Sequence, residues 1–172
     1  MDSAIRTLGL TKFYGPVRGI EEIDLEVRQG EVFGFLGPNG AGKTTTIRLL
    51  LDLLRPTRGR AEIFGLDTRR DSLQVRSRVG YISGDVSLFE SMKGRALVEL
   101  LDSFHGGGAK VDDLAERLDL DLDRPIRAYS RGMKQKLAII QALSHDPDLL
   151  VLDEPTTGLD PLVQQEFYNL VA

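Results

Sequence analysis

The 172-residue chain has no cysteine, no tryptophan and only two histidines. Without cysteine it can form neither disulfides nor thiolate metal sites, a composition that is neutral on compartment and fits a reducing cytosol. No apolar run is long enough to cross a bilayer, and the mixed, charged N-terminus does not resemble a signal peptide. The net charge of −4 gives no support to a basic nucleic-acid surface. We expect a cytoplasmic location, with any membrane contact made through a partner.

A glycine-rich stretch, GPNGAGKTT at 37–45, is the most informative part of the chain. Its glycine, four residues and Gly-Lys-Thr follow the pattern of a phosphate-binding loop. The apolar run Val32 to Leu36 predicts a buried strand before the loop, and apolar residues at helical spacing over Thr45 to Leu54 predict a helix after it. This context favours a nucleoside triphosphate site over a glycine-rich turn of no function. In such a site Lys43 would reach the β- and γ-phosphates, and the Thr44 hydroxyl would hold Mg²⁺.

The rest of the pattern predicts an α/β protein. Residues 85–143 carry no strand signal, so we expect a helical subdomain inserted into a sheet core. The other predicted features are two short strands around a turn at Gly15-Pro16, a strand at Ala61 to Phe64, a short helix at Asp71 to Arg78, a strand at Val79 to Ser83, helices at 97–104 and 111–118 with a flexible break at His105 to Gly108 between them, a helix capped by Ser130, a strand at Asp148 to Glu154, and a helix at 162–171 capped by Asp160.

Two adjacent acids end the apolar strand LLVLDE. Neighbouring carboxylates at a strand end repel each other unless a cation lies there, so a purely structural role is the weaker interpretation. Asp153 is predicted to hold Mg²⁺ opposite Thr44, and Glu154 to polarise an attacking water. Tyr14, beside a turn, is a candidate for stacking on a base, with packing on the strand edge as the alternative.

The two histidines are given no catalytic role. His105, beside the glycine break, is expected to be solvated. His145 follows the end of a predicted helix, where a histidine interacts favourably with the helix dipole.

Taken in order, these motifs resemble those of the ATP-binding cassette (ABC) family, the nucleotide-binding subunits of ABC transporters. The resemblance covers the whole chain: Tyr14, GPNGAGKTT, the helical insert, YSRGMKQKL at 129–137 and LLVLDEPTTGLDP at 149–161. It implies a P-loop NTPase (RecA-like) sheet core with an N-terminal antiparallel β subdomain and an inserted helical subdomain. The parts would be a β subdomain with the phosphate-loop core at 1–84, a helical subdomain ending in the signature helix at 85–143, and a core with Walker B and the D-loop at 144–172.

The resemblance also assigns roles to residues. Tyr14 would stack on adenine, and Ser130 and Gly132 would reach across a head-to-tail dimer to the γ-phosphate held by the other subunit. Asp160 would contact that subunit, and Lys43 and Glu154 would be catalytic. The implied cofactors are ATP and Mg²⁺, with Thr44 and Asp153 as metal ligands. The implied nucleotide contacts are Tyr14, Gly37, Pro38, Asn39, Gly40, Ala41, Gly42, Lys43, Thr44, Thr45, Ser130 and Gly132.

The chain departs from the family pattern in three places. Its signature reads YSRGM at 129–133 where LSGGQ is usual, a form that resembles ABC-2-type drug and polysaccharide exporters. Gly84 stands where the family has a glutamine that binds Mg²⁺ and senses the membrane partner, with Asp85 as a candidate substitute. Only twelve residues follow Asp160, so the family's switch histidine is absent and the chain looks truncated at its C-terminus. We therefore expect it to bind ATP but to hydrolyse it poorly.

The leading hypothesis is an ATP-hydrolysing subunit that powers an ABC transporter, by its signature an exporter. It would work by ATP-driven dimerisation with a second nucleotide-binding subunit under a transmembrane permease, peripheral on the inner face of the cell membrane. One alternative is a soluble ABC ATPase of DNA repair or translation, which the short insert, single cassette and acidic balance disfavour. Another is a non-catalytic nucleotide-binding dimerisation module. The transported substrate is not predicted, because in this family the membrane domains select it.

Overall fold

A computed structural model describes residues 3–84, 86–105 and 110–172, and the chain divides into two compact units, Met1–Ser77 and Arg78–Ala172. Each unit has its own sheet, antiparallel in the first and parallel in the second. Within the described ranges no helix combines the length and apolar character needed to cross a membrane. The three-part division of the chain drawn from its sequence stays a prediction.

The first unit is built on a four-stranded antiparallel sheet in the order β2-β1-β3-β4. Its first two strands form the predicted hairpin across Gly15-Pro16, and each is 12 residues long, longer than the sequence indicated. Gly15 has φ of 58°, a left-handed conformation that suits glycine at a tight turn. The strands are β1 Ser3–Tyr14, β2 Val17–Arg28, β3 Arg58–Ile63 and β4 Leu66–Asp67.

Two helices complete the first unit, α1 Lys43–Leu50 and α2 Ser72–Ser77. The apolar side chains of α1 recur at helical spacing, and Ile47, Leu49 and Leu50 are buried. This confirms the predicted helix after the glycine loop. Its buried face fixes the direction of the helix and so the position of the loop that opens it.

The predicted buried strand from Val32 to Leu36 is wrong. Residues 31–38 form no strand, Val32 is 100% exposed and Leu36 is 91% exposed. A continuous apolar run is buried in a sheet only when neighbouring strands pair with its edges and other layers cover both faces. The four strands of this unit pair with one another, and none of them pairs with residues 31–38. Apolar composition favours a strand, but it does not supply the neighbouring strand that would bury it.

The second unit places helices around a two-stranded parallel sheet, β5 Val79–Ile82 and β6 Leu149–Leu152. Gly80 lies where the last turn of a helix meets this sheet, because an added Cβ would be 2.2 Å from the carbonyl oxygen of Ala142. The helices are α3 Gly94–Asp102, α4 Val111–Arg117, a 3-10 turn Ile126–Ala128, α5 Arg131–Leu143 and α6 Pro161–Val171.

The core of the second unit confirms the predicted block of helices. Apolar residues of α3, α4 and α5 form one buried cluster, which includes Leu97, Val98, Leu114, Ala115, Leu137, Ile139 and Ile140. The predicted flexible break at His105 to Gly108 falls, apart from His105, outside the described residues. The packed cluster holds the N-terminus of α5 and the end of β6 in defined positions, and both carry predicted site residues.

Candidate functional site

The glycine loop of the first unit leads directly into α1. Gly40 and Gly42 have φ of 84° and 90°, which curl the backbone, and the loop residues 37–41 are exposed. The helix starts after Gly42 without a side-chain cap. A helix N-terminus of this kind carries backbone donors and the positive end of the dipole, and an anion is a suitable partner for it. The arrangement fits the phosphate groups of a nucleotide.

Lys43 reaches back over this loop. Its Nζ donates hydrogen bonds to the carbonyl oxygens of Gly37 at 2.6 Å and Pro38 at 3.0 Å. An ammonium has three donors and no acceptor, so its partners are oxygens such as these carbonyls or those of a phosphate. Lys43 is therefore tied to the glycine loop, and its contact with the β- and γ-phosphates stays a prediction.

Gly42 is also a point of close packing. A Cβ added there would lie 2.2 Å from Cγ2 of Ile20 on β2, so the loop passes against the antiparallel sheet with no space for a side chain. Gly40 shares the left-handed conformation, but an added Cβ would meet nothing within 4 Å. The two glycines therefore separate the effect of backbone strain from the effect of steric overlap.

Gly42→Ala is expected to lower the free energy of unfolding by about 2 kcal/mol or more, and Gly40→Ala by about 1–2 kcal/mol. A left-handed non-glycine residue costs about 1–2 kcal/mol, and only Gly42→Ala adds a clash with Ile20. Urea denaturation of the two variants measures the difference. Equal losses would show that the loop relaxes away from β2 at no cost.

Tyr14, the last residue of β1, lies near the start of α1. Its side chain is 45% exposed, and its hydroxyl is 3.4 Å from Oγ1 of Thr45. The structure thus brings the predicted base-stacking residue to the phosphate loop. A half-exposed ring at this place can take a base on its open surface.

The two acids of the second unit follow β6 at the carboxyl end of the parallel pair. The Asp153 amide donates to the carbonyl of Ile82 at 2.9 Å, and the residue is half-buried. Glu154 is exposed and has φ of 51°, which is uncommon for a residue with a side chain. Such strain costs about 1–3 kcal/mol and concentrates at functional sites. Five other described residues share this conformation, Glu22, Asp52, Phe64, Asp119 and Asp146, so the case for Glu154 rests on its place after β6 beside Asp153.

Gln135 supports this strained turn, and sequence reasoning missed it. It is 4% exposed, and its Nε2 donates to the carbonyl oxygen of Pro155 at 2.6 Å. The hydrogen bond ties the turn after Glu154 to α5. One signal was available, because Gln135 is a polar residue on a helix face otherwise formed by Ala138, Ile139 and Ala142. Buried polar side chains of this kind nearly always have a specific partner.

The signature residues open α5 as predicted. Ser130 is the N-cap, and its Oγ accepts a hydrogen bond from the Met133 amide at 3.2 Å. Tyr129 is an anchor within the helical block: its hydroxyl donates to the Asp121 carbonyl at 2.7 Å, and burial raises the pKa of the phenol. Ser130 itself is exposed, so the start of α5 faces away from the core.

Gly132 brings the signature against the loop after the acids. An added Cβ would lie 2.9 Å from the Gly158 carbonyl oxygen, and the side chain of Arg131 packs over Gly158. The same loop ends at Asp160, whose Oδ1 accepts from the amides of Leu162 and Val163 at 3.1 Å each. Asp160 is confirmed as a helix cap, and its predicted role in contacting a partner stays a prediction.

Gly84 lies beside the acids at the end of β5. An added Cβ would be 3.2 Å from the carbonyl oxygen of Asp153 and 3.6 Å from Cβ of Glu154, so a larger residue would crowd the turn. A pocket of about 320 Å³ adjoins it, lined by Gly84, Val86, Arg131, Lys134 and Gln135. The predicted substitution of Asp85 for the missing glutamine lies outside the described residues.

The two histidines meet each other, which the sequence did not indicate. Their rings stack with centroids 4.2 Å apart, and Nε2 of His145 is buried without a hydrogen-bond partner. Burial, and then the charge of His105, lower the pKa of His145. A neutral ring interacts less with the helix dipole than a protonated one, and the predicted support of the dipole by His145 stays a prediction. His105 is exposed, as predicted, but it is also a stacking partner.

Acidification is expected to destabilise the fold through His145. Unfolded, this residue takes up a proton near the ordinary pKa of 6.5, whereas folded it does so only at lower pH. The contribution of the neutral His145 ring to the free energy of unfolding is therefore fully present above the unfolded pKa of 6.5. It falls as the pH drops through that value towards the folded pKa. Nearby Asp102 opposes the shift and His105 adds to it. Urea denaturation at about pH 7.5 and about pH 5.5 measures how much free energy of unfolding is lost on acidification. This loss should be smaller for His145→Gln than for the parent chain. An unchanged loss would contradict this assignment.

The metal donors available are few. Among the described residues no group of three or more His, Cys, Asp or Glu side chains could hold an ion. Mg²⁺ is commonly bound by one or two protein oxygens together with phosphate oxygens and water. The Thr44 hydroxyl and the Asp153 carboxylate are oxygen donors of the kind that Mg²⁺ prefers, and their role as its ligands stays a prediction.

Two features define the P-loop NTPase class. One is a glycine loop that leads into a helix beginning with a lysine. The other is an apolar parallel strand that is followed by two acids. The family model described as "ABC transporter" matches residues 20–157. The chain belongs to the ABC transporter family. Its α/β fold is that of the family's ATPase cassettes: it superimposes with a TM-score of 0.90 on a solved ATP-binding subunit of an ABC transporter, at 28% identity over 98% of this chain and 73% of that one.

Curated relatives are resistance and transport proteins. A daunorubicin resistance ATP-binding protein of Streptomyces coeruleorubidus is 44% identical over 99% of this chain and 56% of its own length. A bacitracin transport ATP-binding protein of Bacillus licheniformis is 39% identical over 99% of this chain and 57% of its own. The chain thus spans little more than half the length of these relatives. The likeness to the ABC-2-type exporter class, expected from the signature, is confirmed.

Proposed function

We propose that this chain is the ATP-binding and ATP-hydrolysing part of a subunit that powers an ABC exporter. The observation that carries the proposal is the glycine loop, where an uncapped helix start and the Lys43 ammonium face the same exposed space. The names of the relatives support transport of drug-like or peptide antibiotics over DNA repair or translation. No basic surface is needed for such a role, in agreement with the net charge of −4.

Each site residue has a defined task in this proposal. Tyr14 stacks on the base, and the loop from Gly37 to Thr45 binds the phosphates through backbone donors and Lys43. Thr44 and Asp153 hold Mg²⁺, which neutralises charge on the phosphate oxygens. Glu154 accepts a proton from the attacking water, for which its exposed carboxylate is available.

The signature implies a second subunit. Ser130 and Gly132 lie at an exposed helix start, which is an anion site directed away from the core of its own unit. We assign its ligand as the γ-phosphate of a second copy in a head-to-tail dimer, with Asp160 at the same interface. A transmembrane permease at the inner face of the membrane would receive the resulting motion.

Hydrolysis by this chain alone is proposed to be weak. Both histidines of the sequence are at the ends of α3 and α5 and stack on each other, so neither is available as a switch histidine. A nucleotide-binding module that dimerises without rapid turnover is therefore the second candidate.

Calorimetric titration with Mg-ATP, followed by sedimentation velocity in ATP or ADP, tests the proposal. We expect ATP to bind and to convert monomer to dimer, and ADP to bind without that conversion. A folded chain that binds no ATP at millimolar concentrations would contradict the proposal. Binding of ATP without dimerisation would support the nucleotide site but contradict the role proposed for Ser130.

A further inference from the structure

The ring of Tyr14 is held by neighbours that no motif includes. Besides the Thr45 hydroxyl at its phenol oxygen, the ring has the ammonium of Lys12 over one face, 5.3 Å from the centroid. Its Cδ2–Cε2 side lies against the backbone of Gly19. All four residues belong to the first unit, and the contacts join β1, β2 and the start of α1.

Gly19 provides the space in which the ring lies. A Cβ added there would be 2.8 Å from Cε2 and 3.3 Å from Cδ2 of Tyr14, distances too short for undisturbed packing. The residue falls where the pairing of β1 with β2 shifts its register, between Lys12 and Phe13. Unlike Gly15 and Gly42, it is not in the left-handed region, so alanine can adopt its backbone conformation. An added Cβ would also lie 3.1 Å from the Lys12 carbonyl oxygen, so the ring of Tyr14 makes the closest contact and the backbone of β1 the next.

Lys12 is fixed independently of the ring. Its Nζ donates to the carbonyl oxygen of Arg55 at 2.7 Å, which keeps the ammonium over Tyr14 instead of in solvent. A cation over an aromatic face is attracted by the ring quadrupole. A face already covered by an ammonium is not open to a base, so only the opposite face remains for stacking.

We propose that Gly19 and Lys12 are positioning residues for Tyr14, which set the ring so that one face meets Lys12 and the other receives the base. This inference rests on the proposed function, because the base belongs to the bound nucleotide. Since every base has a π-face, stacking is tolerant of base identity. Loss of this arrangement should therefore weaken ATP and GTP binding by similar factors.

Ring-labelled tyrosine and NMR test the positioning without nucleotide. The chain has four tyrosines, and Tyr14→Phe identifies the signal of Tyr14 by its loss. Gly19→Ala and Lys12→Met are expected to shift that signal. Gly34→Ala is the matched control, because its added Cβ meets nothing within 4 Å and its φ is not left-handed. An unmoved Tyr14 signal in Gly19→Ala would overturn the proposal.

Titration with ATP and GTP then tests the consequence for binding. Tyr14→Ala should raise the Kd for both about 5- to 150-fold, the range for loss of one stacking contact. Gly19→Ala should raise it about fivefold, and should change it by less than about twofold when Tyr14 is already alanine. An equal effect in both backgrounds would overturn the proposal, since Gly19 would then act through the strand and not through the ring. If the parent chain binds no nucleotide, the proposed function fails together with the base-facing role, while the NMR shifts still decide whether Gly19 and Lys12 hold the ring.

Discussion

Replacing Lys43 with methionine is expected to weaken ATP binding about 10- to 100-fold. The Lys43 ammonium donates hydrogen bonds to two carbonyl oxygens of the loop. In the proposed complex it would donate to phosphate oxygens bound by the same loop. A hydrogen bond to a charged group contributes about 1.5–3 kcal/mol, which corresponds to that range of affinity. Methionine keeps an unbranched apolar side chain and removes only the charged donors. Calorimetry with Mg-ATP measures the change in Kd.

The matched control for this prediction is Arg48→Met. Arg48 is an exposed cation on the same helix, so its removal changes net charge equally without touching the loop. We expect a change in Kd of less than about twofold, because exposed charges act weakly through solvent. Equal weakening by both substitutions would show that Lys43 acts only through general electrostatics. Thermal unfolding of both variants separates a loss of contacts within the loop from a loss of binding.

Glu154→Gln is expected to reduce phosphate release by about 100-fold or more while leaving the Kd for ATP nearly unchanged. A general base contributes about 10²- to 10⁴-fold, and the amide cannot accept the proton. Glutamine has the same shape, so the strained turn held by Gln135 through Pro155 should persist. Because turnover by this chain is expected to be slow, the measurement is single-turnover release of labelled phosphate with protein in excess.

Glu116→Gln controls for the loss of one negative charge. Glu116 is exposed on α4 in the helical block. We expect phosphate release at the parental rate. If Glu154→Gln also released phosphate at that rate, Glu154 would not be the base. If it instead abolished binding, its carboxylate would belong to the ground-state complex.

Sequence patterns predicted best the helices, caps and strands that depend on residues close together in the chain. The helix of the phosphate loop, the caps Ser130 and Asp160 and the β6 strand followed from spacing and capping chemistry, which act within a few residues. The stretch from Val32 to Leu36 failed because its pattern describes a strand but not the neighbours that would bury it.

The candidate site was predictable to the same extent. The residues of the glycine loop and the acids are motif positions, so the sequence names them directly. Lys12 and Tyr14 are two residues apart on β1, but the contacts of Gly19 with Tyr14 and of Gln135 with Pro155 join residues from different elements. Register and helix orientation decide such contacts, and neither can be read from the spacing of one segment.

The close approach of Gly132 to Gly158 has a consequence for how this cassette can change. At Gly132 the first turn of α5 comes so close to the loop leading to Asp160 that an added Cβ would lie 2.9 Å from the Gly158 carbonyl oxygen, and the side chain of Arg131 already packs over Gly158. A residue larger than glycine at 132 needs a compensating rearrangement of the loop at 158. A signature transplanted from one cassette to another should therefore be moved together with the loop at 158. Either segment alone would meet a neighbour with which it does not pack.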